Sequence, residues 1–305
     1  MGTIAFLFAG QGAQHAGMGE ALYESSPAAR AVFDACEALR PGTREQCFHG
    51  DKETLSQTIN TQPCLFAVDL ACAAAAKEAG IRADAAAGFS LGEVAAAAFT
   101  GLLSLEDAFK LVCLRAEAMQ KCAEAHPGAM LAVLKLEAEA VEKLCAEYAE
   151  AWPVNYNSPG QTVVACAAEH VEPLSQAVKE AGGRAMKLNV SGGFHTPWMR
   201  PATEALAARL QTLALRAPVL PCYANRTGRP YALDEAIETL SKQASSPVRW
   251  RETLERMAKV GVDTFLEFGP GGTLTGLVKR TLNEVTALNA EDPEGIQRMV
   301  EALNG

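Results

Sequence analysis

The chain has 305 residues, 49% hydrophobic and 21% charged, with 36 Asp and Glu against 27 Lys and Arg, a net charge of -9 and a pI near 5.2. This is the composition of a globular protein able to bury a sizeable core, and it excludes disordered and fibrous classes. The acidic balance argues against a general nucleic-acid or anionic-membrane binder, while leaving room for local basic patches. Nine cysteines, at 36, 47, 64, 72, 113, 122, 145, 166 and 222, include no C-x-x-C pair, which reads as reduced thiols and argues against a zinc site. Met1 to Phe8 carry no basic segment and run into glycines, and the apolar stretch Cys64 to Ala76 is interrupted by Asp69 and short for a bilayer. A cytoplasmic protein with no membrane partner is expected.

Ile4 to Phe8 is a continuous apolar run closed by Gly10 and Gly12, the pattern of a parallel strand covered on both faces. Thr61 to Glu78 follows as a helix, and Ile81 to Gly88 as an alanine-rich second strand of poor intrinsic propensity. Glu93 to Ala98 resumes helix. Leu105 to Ala125 has helical spacing, with Leu111, Leu114 and Ala118 on one side and Arg115 beside them. His126-Pro127-Gly128 breaks that helix, and the rhythm changes. Met130 to Leu136 (strand), Glu137 to Glu150 (helix), Val154 to Cys166 (hairpin), Val171 to Ala181 (helix) and Arg184 to Val190 (strand) give the β-α-β-β-α-β order of a ferredoxin-like module. Ser191-Gly192-Gly193 reads as the hinge out of it. Mixed helices follow, with one more buried strand at Thr264 to Phe268 and a Gly269-Pro270-Gly271-Gly272 turn.

Gly88-Phe89-Ser90-Leu91-Gly92 is a G-x-S-x-G pattern between a predicted strand and a predicted helix, the context of a nucleophile elbow. An ordinary glycine turn is the plain alternative. A serine hydroxyl needs a base at neutral pH, and the chain offers His15, His49, His126, His170 and His195. His195 follows the hinge, where a cleft between two units would lie, whereas His126 and His170 flank helices or turns. Spacing alone does not choose among them.

Further segments extend the pattern: Phe8-Ala9-Gly10-Gln11-Gly12, Thr61-Gln62-Pro63, Arg115 before Met119-Gln120, Asn155 to Gln161, Phe194-His195, Gln243 before Ser246-Pro247-Val248, and Glu267 to Gly271. Together with the elbow these make the chain similar to the malonyl-CoA:acyl carrier protein transacylases of type II fatty acid synthesis and to the acyltransferase domains of polyketide synthases. The motifs stand in the family's order over nearly the whole chain. The resemblance implies an α/β fold: an α/β-hydrolase-like core with a parallel sheet (residues 1–125 and 192–305), interrupted by a ferredoxin-like α+β subdomain (126–191).

It implies Ser90 as nucleophile and His195 as its base and acid, the imidazole being oriented by the main chain at Gln243 rather than by a carboxylate. The oxyanion hole falls to the backbone N–H groups of Gln11 and Leu91. Arg115 is implied as the grip on the malonyl carboxylate, a charge-assisted contact of roughly 1.5–3 kcal/mol per bond. Gln62, Phe194 and Asn157 are implied in the acyl and substrate site, and Arg184 and Arg280 in contacts with CoA or carrier. Lys187 and Lys279 are further candidates for positive charge at the mouth. The implied partners are malonyl-CoA and the phosphopantetheine arm of acyl carrier protein, with no metal or bound cofactor required. Phe89, where many members have histidine, and Cys166, where glycine is common, are departures. Three rivals stay open: a trans-acting polyketide acyltransferase, an editing thioester hydrolase, and a catalytically silent carrier-docking subunit.

Overall fold

A computed structural model describes residues 2–190 and 192–305. Met1 and Ser191, the first residue of the expected hinge, lie outside the described residues. β1 (Thr3–Phe8) leads through α1 (Glu20–Ser25), α2 (Pro27–Leu39), α3 (Thr43–His49), α4 (Lys52–Ser56) and α5 (Thr58–Glu78) to β2 (Ala85–Gly88). α6 (Gly92–Phe99) and α7 (Leu105–Ala125) follow. Next come β3 (Gly128–Leu134), α8 (Ala138–Cys145), β4 (Ala151–Ser158), β5 (Gln161–Ala167), α9 (Val171–Glu180) and β6 (Arg184–Lys187). The chain closes with α10 (Arg200–Leu210), β7 (Cys222–Tyr223), α11 (Ala236–Lys242), α12 (Trp250–Lys259), β8 (Val262–Phe268), α13 (Thr273–Thr281), β9 (Thr286–Ala290) and α14 (Pro293–Asn304).

One sheet has five parallel strands in the order β7-β2-β1-β8-β9. Its central strand β1 is buried from Ile4 to Phe8, as its unbroken apolar run requires. Phe6 and Phe8 point to one face, where their rings meet Phe99 at 5.1 and 5.3 Å and Phe268 at 4.4 and 6.5 Å. The other sheet is antiparallel, ordered β4-β5-β3-β6, and α8 and α9 enclose a separate apolar cluster with it that includes Leu131, Val133, Val164, Leu174 and Val178. The chain order from β3 to β6 is β-α-β-β-α-β.

Several expectations change in detail. The second strand is confined to Ala85–Gly88; at its start the Asp84 N–H donates to the Ile4 carbonyl at 2.8 Å, while the Ile4 N–H is taken by the Asp84 carboxylate at 2.9 Å. The helix expected to reach Glu150 stops at Cys145, and Ala151 opens β4. Two strands of the C-terminal part, β7 and β9, lie beyond the one expected there. Leu114 and Ala118 are half-buried, and the buried face of α7 carries Leu111, Val112, Arg115, Ala116 and Met119 instead. Gly192 and Gly193 are packed rather than free: a Cβ there would sit 2.4 Å from Ala123 and 2.7 Å from Trp198.

α5 is 21 residues long and apolar enough to cross a membrane, longer than the stretch considered from sequence, but 83% of its most apolar window is buried in the protein. It is a core helix. α7 begins where the sequence places it because the Ser104 hydroxyl accepts the Asp107 N–H at 3.0 Å.

Candidate active site

β2 ends at Gly88 and α6 begins at Gly92, so three residues reverse the chain. Glycine is required at both ends: a Cβ on Gly88 would lie 1.9 Å from the Gly92 carbonyl carbon, and one on Gly92 2.2 Å from the Phe8 carbonyl oxygen. The turn holds Ser90 at φ 53°, the left-handed region in which side chains other than glycine are strained. Asn225, just past β7, fastens both limbs: its Oδ1 accepts the Ser90 N–H at 2.7 Å and its Nδ2 donates to the Gly88 carbonyl at 2.7 Å. Gly10 packs beside the turn, where a Cβ would meet the Phe89 carbonyl at 2.7 Å, whereas Gly12 has open space and φ 128°. Close packing accounts for the first and backbone conformation for the second.

Of the five histidines, His195 is the one brought to Ser90, with Nε2 2.8 Å from Oγ. It is 4% exposed and, like Ser90, sits at positive φ, 63°. Its Nδ1 lies 3.1 Å from the carbonyl oxygens of both Gln243 and Ser246. Carbonyls only accept, so Nδ1 carries the ring proton and Nε2 is left to accept from the serine hydroxyl. Burial first, and then the nearby Arg115 charge, push the imidazole down to about 4, so it is neutral and able to take a proton at neutral pH.

Arg115 projects from α7 and is 1% exposed. Its Nη1 donates to Gln62 Oε1 at 2.7 Å, and its Nη2 to Gln243 Oε1 at 3.0 Å and to Ser90 Oγ at 3.2 Å. Burial lowers its value to about 10, which still leaves it charged, and its Nε has no partner among the described residues. Gln62 donates in turn to Met119 Sδ at 3.6 Å. Gln243 thus contributes a carbonyl to His195 and a side chain whose Nε2 donates to the Ser90 carbonyl at 2.6 Å.

Gln11 and Phe89 help line a cavity of about 230 Å³ whose other side carries Asn157, Gln161 and Val163 from β4 and β5. Gln11, Gly12 and Leu188 border a second cavity of about 500 Å³ beside it. Among the described residues, the backbone N–H groups of Gln11 and Leu91 have no bonded acceptor. Asn157 is buried with its Oδ1 unpartnered. Phe194 is buried in the main core. Arg280 donates to Gln161 at 3.0 Å, while Arg184 and Lys187 lie exposed on β6 and Lys279 exposed on α13. Phe89 stacks edge-on against Trp250, ring centroids 5.3 Å apart, and Cys166 is fully buried as a free thiol.

Sequence reasoning missed Asn225, the Ser246 carbonyl and Tyr231, whose hydroxyl donates to the buried Glu93. A signal existed for Glu93, a lone carboxylate in Gly92-Glu93-Val94-Ala95-Ala96-Ala97-Ala98-Phe99. The assembled groups are a hydroxyl with a neutral base, two free backbone donors nearby and a buried guanidinium. Such a set can acylate the serine and hold an anionic acyl group.

Residues 5–300 match the acyl transferase domain family. The chain is 39% identical to a malonyl CoA-acyl carrier protein transacylase of Bacillus subtilis, covering 99% of this chain and 98% of the relative. A solved malonyl CoA-acyl carrier protein transacylase from Clostridium perfringens superposes with TM-score 0.95 at 35% identity, covering 99% of this chain and 97% of that one. A malonyl-transacylase solved in complex with a type II polyketide acyl-carrier protein gives TM-score 0.93 at 34% identity, over 98% and 99% of the two chains. With the family match, the sequence identity and the fold all extending over essentially the full length, the chain belongs to the acyl transferase family, among the malonyl CoA-acyl carrier protein transacylases.

Proposed function

We propose that this enzyme transfers the malonyl group of malonyl-CoA to the phosphopantetheine thiol of an acyl carrier protein, in fatty acid synthesis, through a malonyl-Ser90 ester. The observation that carries the residue assignment is the placement of Ser90 Oγ between His195 Nε2 at 2.8 Å and Arg115 Nη2 at 3.2 Å. One neighbour takes the proton and the other receives the malonyl carboxylate.

Ser90 Oγ attacks the thioester carbon while its proton passes to His195 Nε2, and the resulting imidazolium keeps its Nδ1–H on the Gln243 and Ser246 carbonyls. The oxyanion is received by the N–H groups of Gln11 and Leu91. Collapse breaks the C–S bond, and the departing CoA sulfur takes the proton from His195. In the second half the carrier thiol gives its proton to His195 and attacks the ester, and Ser90 leaves reprotonated. Arg115 has an unpartnered Nε and a fork geometry that a carboxylate can bridge, and Gln62 braces the fork. The pantetheine arm fits the cavities along Gln11, with Asn157 in the wall of the smaller one, and Arg184 and Arg280 face the acidic partner. Residues 126–191 form the ferredoxin-like unit, 1–125 and 192–305 the catalytic core, and the site of action is the cytoplasm.

Intact-protein mass spectrometry after brief mixing with malonyl-CoA tests the reading. A single malonyl adduct is expected, weak with acetyl-CoA and absent in Ser90→Ala. No adduct from any acyl-CoA defeats it and favours a carrier-docking role.

A further inference from the structure

Among the buried carboxyls that the mechanism leaves unused, Glu93 lies nearest in sequence to Ser90. Glu93 lies in the first turn of α6, is fully buried, and accepts the Tyr231 hydroxyl on Oε1. Its Oε2 has no partner among the described residues, and neither does Arg115 Nε. The Gln243 side chain, the Asn225 backbone and the Arg115 charge all favour its ionised form. Gln243 joins Arg115 to the Ser90 backbone, accepting from Arg115 on Oε1 and donating from Nε2 to the Ser90 carbonyl. A negative charge on Glu93 favours the amide orientation seen here, with the Gln243 carbonyl turned to the guanidinium.

We propose that Glu93, acting through Arg115 and Gln243, is a positioning residue for acyl selection: its carboxylate is the buried counter-charge of the guanidinium, and its protonation state sets how strongly a carboxylate-bearing acyl group is preferred to a neutral one. This rests on the acyl-transfer reading above. An anionic acyl group on Arg115 disfavours a second negative charge at Glu93, so malonyl binding and Glu93 protonation favour each other. Preference for malonyl then rises as pH falls through the range in which Glu93 titrates.

That range is near neutral, because burial raises Glu93 to about 7. Arg115, His195, Cys222 and Tyr231 do not change charge there, and Glu93→Gln separates the contribution of Asp69 from that of Glu93. Arg115 on α7 stays cationic with a value near 10, and His195 beside it stays neutral above about 4. Cys222 on β7 is raised to about 12, Tyr231 is raised well above the usual phenol value, and Asp69 on α5 is raised well above the usual carboxylate range. β1 and β2 contribute no titratable side chain.

The test is the ratio of kcat/KM for Ser90 acylation by malonyl-CoA to that by acetyl-CoA, measured from about pH 5.5 to 8.5. Titration of the CoA phosphates cancels in the ratio. A one-unit rise of the Glu93 value on malonyl binding corresponds to about a tenfold higher ratio at the acid end. Glu93→Gln should give a ratio that is flat with pH. Tyr231→Phe removes a bond to the ionised form, so the step should move to higher pH by about one unit, which serves as the test should Glu93→Gln fail to fold. A flat ratio in the unsubstituted enzyme, a step that survives Glu93→Gln, or a step moved to lower pH by Tyr231→Phe overturns the proposal. Absence of any Ser90 ester at every pH would instead strike the acyl-transfer reading itself.

Discussion

Replacing Arg115 by methionine keeps most of its volume and removes the fork. In the free enzyme Arg115 donates to Gln62, Gln243 and Ser90 Oγ. Two charge-assisted bonds to a malonyl carboxylate contribute about 3–6 kcal/mol, at roughly 1.5–3 each. Accepting the carboxylate costs one existing bond, that to Ser90 or Gln243, about 1 kcal/mol. The net, about 2–5 kcal/mol, corresponds to a thirtyfold to few-thousandfold fall in kcat/KM for malonyl-CoA, at about 1.4 kcal/mol per tenfold. Acetyl-CoA brings no carboxylate, and its acylation should fall by less than about tenfold, through the lost contact to Ser90 Oγ. Rapid-quench mass spectrometry of the acyl-enzyme with both donors reads the two rates. Equal losses for malonyl and acetyl would refute the assignment of Arg115 to the acyl carboxylate.

Other consequences are as direct. Ser90→Gly should be more stable than Ser90→Ala by about 1 kcal/mol in urea denaturation, because only glycine adopts φ 53° without strain, and neither should form an ester; an Ala variant at least as stable as Gly would show that the elbow stores no strain. His195 is held near 4 when folded against 6.5 ordinarily, so the unfolded chain binds this proton first as pH falls. The enzyme should therefore lose about 3 kcal/mol between roughly pH 6.5 and 4 that His195→Asn does not lose, and parallel stability curves for the two proteins would contradict this. Asn225→Ala leaves the Ser90 N–H and the Gly88 carbonyl without partners, a cost of about 2–4 kcal/mol. It should slow acylation by malonyl-CoA and acetyl-CoA alike, and a selective loss of one donor would place Asn225 in the acyl pocket instead.

What could be read from the sequence follows from how strongly each feature is constrained locally. Gly88 and Gly92 are legible because backbone contact forbids any side chain, and the long helix from Leu105 is legible because a serine cap and a Pro-Gly break bound it. β7 is two residues long and β9, Thr286–Ala290, has no clear alternation, so neither announces itself before a neighbouring strand supplies its hydrogen bonds. α8 was overrun because Glu137 to Glu150 is helix-forming in composition throughout, while pairing of Ala151 with Cys166 decides where β4 begins. At the site, Ser90 and His195 stand in motifs, but Asn225 reaches Ser90 across 135 positions and Tyr231 reaches Glu93 across 138. Those contacts depend on β7 joining the sheet edge, which no local pattern encodes.

The measurement closest to the central claim is a chase of the isolated malonyl-enzyme with holo acyl carrier protein, with buffer alone run alongside and all species followed by mass spectrometry. The account predicts that the malonyl group leaves Ser90 for the carrier thiol much faster than it is lost to water, with the unmodified enzyme regenerated. Release of free malonate at the same rate with and without carrier would contradict it and make the protein a thioester hydrolase.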